Sequence, residues 1–154
     1  MNEMTEHSMQ TLELHTVLNK LSECAVSEGA REACRAIRPV TDADDVRMLQ
    51  DETEAARHLI MLKGTPSFQD VRDVGPSLHR ASRGGSLGHL ELLRIAGVLR
   101  SARSIKEYAD SEEKSVLDGY FFSLTANKYL EDRIFNSIIS EDEVADSASS
   151  ELAD

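Results

Sequence analysis

Seven Lys and Arg stand between Arg72 and Lys106 against only Asp73 and Glu91, in a 154-residue chain whose net charge is −11. This island is +5, whereas residues 1–71 sum to −6 and residues 107–154 to −10. A focused positive field concentrates anions whatever the total charge. Arg80, Arg83, Arg94, Arg100 and Arg103 are therefore the candidates for contact with nucleic-acid phosphates. The competing expectation is ion pairing within the chain. At about 100° per residue, Arg94, Arg100 and Arg103 fall near 0°, 240° and 180° around a helix, a broad face that favours pairing.

Other reactive side chains point to no catalytic, cofactor-binding or metal-ligating set. Asp42, Asp44 and Asp45, like Glu141, Asp142 and Glu143, could in principle hold a divalent cation. Helix capping explains the first group and a solvated turn the second. Cys24 and Cys34 form no C-x-x-C pair and have no His between them, so they are expected as reduced, half-buried small hydrophobes. The five His (His7, His15, His58, His79, His89) are scattered. Arg83-Gly84-Gly85-Ser86-Leu87-Gly88-His89 lacks the Lys of a phosphate-binding loop and follows no strand.

The elements that would position these residues are helical. Leu14, Val17, Leu18 and Leu21 place one apolar stripe on a helix from Thr11 to Cys24. Ser27 caps a second helix with Ala30, Ala33, Cys34 and Ile37 inward, and Pro39 stops it. Thr41 caps a third, where Val46, Leu49, Thr53, Ala56 and Ile60 face a lengthwise neighbour until Gly64 and Pro66 end it. Five of the eight glycines and two of the three prolines lie in 64–88, a loop broken by one short helix over Pro76–Ser82. The longest helix runs from His89 to Tyr108, with Gly88 at its N-cap and Glu91 three residues on. Its inward stripe (Leu92, Ile95, Leu99, Ala102, Ile105) is widened by Leu90, Leu93 and Val98, enough to suggest burial against a second copy.

A charged linker over 110–114 leads to two shorter helices, Ser115–Leu124 and Tyr129–Ser140. Tyr120, Phe121, Phe122, Tyr129 and Phe135 fall there and are expected in the core, because base stacking needs rings beside positive charge. Asp146 or Ser147 would cap a further helix. Hydrophobic residues at 40% and charged residues at 29% fit a soluble all-α fold. No apolar run approaches the ~20 residues of a membrane span, and the start, Met1-Asn2-Glu3-Met4-Thr5-Glu6-His7, is no signal peptide. Cytoplasm is the default expectation.

In this order the pieces resemble the N-terminal region of the MutS-two family, bacterial relatives of the mismatch-repair ATPase MutS. The landmarks are Thr11-Leu12-Glu13-Leu14, Ala25-Val26-Ser27-Glu28, Arg38-Pro39-Val40-Thr41-Asp42 and Asp51-Glu52-Thr53-Glu54-Ala55. They continue through Leu62-Lys63-Gly64, Val71-Arg72-Asp73-Val74-Gly75-Pro76-Ser77-Leu78, Arg80-Ala81 and Arg83-Gly84-Gly85-Ser86-Leu87. Glu91-Leu92-Leu93, Leu99-Arg100-Ser101-Ala102-Arg103 and Glu143-Val144-Ala145-Asp146-Ser147-Ala148-Ser149-Ser150-Glu151-Leu152 complete the series. Gly29 lies one residue early, Gly88 replaces a capping Ser or Thr, and 109–138 shows only apolar rhythm.

The resemblance implies an all-α core segment of a MutS-like protein leading toward its lever helices. Residues 1–109 would be the core-like region, 110–139 a helical extension and 140–154 the truncated start of a further segment. It implies an excised, non-catalytic scaffold whose full-length parent is an ATPase, commonly with a small-MutS-related nuclease domain, so ATP and Mg belong to downstream domains. The parent would bind branched DNA and restrain recombination, engage stalled ribosomes, and form a homodimer. The alternative is a stand-alone acidic helical protein-interaction adaptor.

Overall fold

The computed structural model describes residues 3–110, 114–140, 143 and 145. Among them the chain is all-α, with eight helices. It divides into two compact units, Met1–Asp42 and Ala43–Asp154, a boundary not drawn from the sequence. The expected helix cap at Asp146 or Ser147, most of 140–154 and linker residues 111–113 lie outside the described residues.

The first unit contains α1 (Glu3–Thr11), α2 (Leu14–Cys24) and α3 (Glu28–Ala36). Helix α1 was not anticipated. Glu13, at φ 51°, adopts the left-handed conformation and separates α1 from α2. Helix α2 packs on α3. Its buried residues are Leu18 and Ser22, whereas Val17 and Leu21, expected inward, are exposed. Ser22 can be buried because its hydroxyl donates to the Asn19 carbonyl at 2.7 Å. Ser27 caps α3 as expected, accepting the Ala30 amide at 3.2 Å. Ala30, Ala33 and Ile37 are nevertheless exposed and Cys34 half-buried, so the expected inward face of α3 is open. Both cysteines are free thiols; Cys24 is exposed rather than half-buried.

The second unit contains α4 (Ala43–Lys63), α5 (Gly75–Ser82), α6 (His89–Ala109), α7 (Asp118–Ser123) and α8 (Lys128–Ser137). Its core is Ile95, Ala96, Ile134 and Ile138, with Val74, Leu87, Leu92, Leu93, Leu99 and Phe135 packed against it. Helix α6 supplies the centre and packs on both α8 and α7. Gly97 is buried where the loop at Asp70 crosses α6; a methyl group there would sit 3.3 Å from the Asp70 Cβ.

Two expectations are corrected. Helix α4 buries no residue, and Leu49 and Ile60 of its predicted stripe are exposed. Val46 and Ala56 of that stripe are half-buried, Ala56 within a line of Glu52, Ala55, Ala56 and Leu59 spaced i, i+3, i+4, i+7. Polar contacts set this rotation: Tyr120 Oη donates to Glu52 Oε1 at 2.9 Å, and Tyr108 Oη donates to the Gly64 carbonyl at 2.7 Å. Lys63 Nζ donates to the Tyr108 and Asp110 carbonyls at 2.9 and 2.7 Å, satisfying acceptors that the end of α6 would otherwise leave unpaired. The aromatic residues differ too. Phe121 and Phe135 are half-buried, but Tyr120, Phe122 and Tyr129 are 58%, 80% and 72% exposed, because α7 and α8 offer only one face to α6.

Candidate functional site

The basic island spans α5, the glycine-rich turn and α6, and three of its five candidate arginines are paired with carboxylates. Asp73 Oδ1 accepts the Gly75 amide at 2.9 Å at the start of α5, which holds Pro76 in its first turn. The chain turns at Gly84, φ +83°, and Gly85 lies so close to Arg80 that a Cβ would meet its Cγ at 2.6 Å. That approach directs the Arg80 guanidinium onto Glu91. Arg80 Nε also donates to the Ser86 carbonyl at 3.2 Å.

Glu91 is the node of this end. It accepts from Ser77 Oγ at 2.6 Å and from the Gly88 amide at 3.0 Å, besides the Arg80 guanidinium. The Ser77 hydroxyl first, then the Gly88 amide and Arg80, hold its carboxyl at about 2 against partial desolvation. Gly88 thus serves as N-cap through its backbone alone, where a Ser or Thr would add a side-chain acceptor.

The other end is built on Glu131, whose side chain is only 4% exposed. Arg103 donates to both its oxygens, Nε at 3.0 Å and Nη2 at 2.9 Å, and to Glu107 at 3.1 Å. Arg100 lies 3.5 Å from the same carboxylate and stacks on the Phe135 ring, 3.8 Å from its centre. Glu131 is held below the ordinary carboxylate range chiefly by Arg103, which is itself raised by Glu131 and then Glu107. A fork of planar donors around one buried carboxylate locks α8 to α6.

Arg83 and Arg94 are exposed and have no ion pair among the described residues. The five arginines therefore form no single patch of free charge. Sequence reasoning missed Glu131, 28 residues from Arg103. Its signal was available: a carboxylate at i with Ile134 and Ile138 at i+3 and i+7 sits on an apolar face and requires a cation there. Among the described residues no three His, Cys, Asp or Glu side chains are grouped to hold a metal ion, and no helix is long and apolar enough to cross a membrane.

These features define an all-helical chain whose basic residues mostly tie its own elements together. Comparison with known proteins gives its lineage. Proteins named Endonuclease MutS2 from Acetivibrio thermocellus, Ruminiclostridium cellulolyticum and Lachnospira eligens are 37%, 39% and 36% identical to it, each over 97% of the chain. The chain is MutS2-related. It spans about a fifth of the length of these relatives, 20%, 19% and 19%. No protein-family model matches it.

Proposed function

We propose that the chain acts as the non-catalytic N-terminal scaffold of a MutS2-like, nucleic-acid-associated ATPase. The supporting observation is the match of 97% of the chain to about a fifth of proteins named Endonuclease MutS2. In this reading ATP, Mg and any nuclease chemistry belong to downstream domains of a longer parent. That parent is cytoplasmic and dimeric, binds branched DNA to restrain recombination, and engages stalled ribosomes. The chain contributes rigidity through the Glu91 and Glu131 nodes, and of the five candidate arginines Arg83 and Arg94 are the two left for phosphate contact.

The test is charge reversal in the full-length parent. Arg83→Glu with Arg94→Glu should weaken nucleic-acid binding and reduce the slope of log affinity against log salt by about 1–2, with Tm unchanged. Arg103→Glu should lower Tm instead. Unchanged binding and salt slope in the double variant would remove both arginines from the interface. ATP hydrolysis or DNA cleavage by the purified 154-residue chain would overturn its non-catalytic role. A reading frame that continues past Asp154 into a phosphate-binding loop is expected; one without it would favour the acidic adaptor.

A further inference from the structure

The second unit has an open apolar cleft where α4 passes α7. Two braces hold its walls: Glu52 with Tyr120 on one side, and Lys63 and Gly64 with the end of α6 on the other. Between them lies a space of about 430 Å³ lined by Leu59, Leu62, Val116 and Phe121, among others. It continues past Phe121 and Asp118 into a second hollow of about 350 Å³ against Phe122. Leu62, Val116 and Phe122 are 68%, 56% and 80% exposed, so the apolar surface is open to solvent.

The rim is acidic. Among the described residues the carboxylates of Asp51, Asp110 and Asp118 form no ion pair, although Asp118 accepts the Ser115 amide at 3.1 Å and Lys63 binds the Asp110 carbonyl, while Glu54 and Glu107 already hold Arg57 and Arg103. Of the lining lysines, Lys106 is committed to the Leu124 carbonyl at 2.9 Å, leaving Lys114. An apolar floor between carboxylates that lack a counter-charge repels polyanions and attracts a segment with Lys or Arg on one face and aliphatic residues on the other.

We propose that this cleft docks a basic amphipathic helix of a protein partner, with aliphatic anchors at i, i+3, i+4 and i+7 on Leu59, Leu62, Val116 and Phe121 and cations facing Asp51, Asp110 and Asp118. A second copy of the chain fits poorly as occupant. Its net charge of −11 has the sign of the rim, and its described helices carry no row of free cations: on α6 Arg100, Arg103 and Lys106 are engaged and Arg94 stands alone, while on α3 Arg31 and Arg35 are held by Glu28. The proposal does not rest on the scaffold reading.

A fluorescently labelled synthetic helix of Leu and Lys, with Leu on one face, titrated with the full 154-residue chain tests it by anisotropy. Saturable binding is expected. Leu62→Glu with Val116→Glu, both at exposed positions, should raise Kd at least about tenfold with the circular dichroism spectrum unchanged. Asp51→Lys with Asp110→Lys should weaken binding and reduce its salt dependence. Leu12→Glu, an exposed apolar position in the other unit, should change nothing. The proposal is overturned if Leu12→Glu costs as much as the cleft variants, or if a Leu–Glu helix binds as well. Self-association abolished by Leu62→Glu with Val116→Glu would likewise overturn it, by making a second copy the occupant.

Discussion

Glu91 shows how much one carboxylate can organise. With its folded-state carboxyl at about 2 and an ordinary value of 4.5, the protonated form is disfavoured by folding. Its stabilisation is fully present above the unfolded value and is lost as pH falls from about 4.5 through 2. Thermal unfolding followed down this range should show a steep acid limb that Glu91→Gln flattens, with a lower Tm at neutral pH. Glu131 has the same sign, being lowered chiefly by Arg103. Glu131→Gln strips the counter-charge from Arg100 and Arg103 at a buried site, so its Tm should fall further than that of Glu54→Gln. The Glu54–Arg57 pair stands in solvent, both side chains at least 60% exposed. At the turn, Gly85→Ala forces a Cβ to 2.6 Å from Arg80 Cγ and 3.0 Å from its carbonyl oxygen. It should lower Tm and, by dislodging Arg80, raise the midpoint of the Glu91 carboxyl in an NMR titration.

Among the helices, burial separates those that hold the molecule from those merely attached. Ile134 is 7% exposed on α8 and Leu49 is 45% exposed on α4. Ile134→Ala should cost roughly 2–4 kcal/mol in denaturant unfolding, and Leu49→Ala only about 0.5 kcal/mol. Leu99, half-buried beside the core, should fall between them. The limits of α5 and α6 were legible because their signals are local: Pro76, the Gly84–Gly85 pair, and Glu91 three residues after Gly88. The facing of α4 was not. Its 3.5-residue apolar rhythm named Leu49 and Ile60, but hydrogen bonds from Tyr120 and Tyr108 and a lysine placed on the end of α6 determine its rotation, and periodicity is blind to these. The break at Glu13 was equally silent, since neither Leu12 nor Glu13 is a residue that favours left-handed backbone. Of the candidate arginines, sequence placed all five on or near α5 and α6 and favoured pairing, yet could not separate Arg100 and Arg103 from Arg94. That distinction depends on Glu131, a partner far along the chain.

Across the molecule the two units differ in how much holds them. Among the described residues, those of 1–42 bury only Leu18 and Ser22, whereas 43–154 contain the main core and both carboxylate nodes. Chains of about 40 residues without disulfides or metals seldom fold alone. Expressed separately, 43–154 should melt cooperatively and 1–42 should give no melting transition by circular dichroism. A sharp transition from the shorter piece would mean that α2 and α3 have more packing energy than their burial suggests. The breadth of the α6 stripe, expected to call for a second copy, is taken up in part by α8, α7 and the flanking Val74 and Leu87.

The contacts of the Glu91 node all close within residues 77–91, whereas the Arg103–Glu131 fork closes a span of 28. Bringing chain ends together costs more entropy as the intervening length grows. The α5–turn–α6 hairpin can therefore form before α8 arrives, giving α6 a fixed starting end on which the later helix docks. Its assembly order would leave a trace in hydrogen exchange: on refolding, the Gly88 amide would gain protection before the amides of α8.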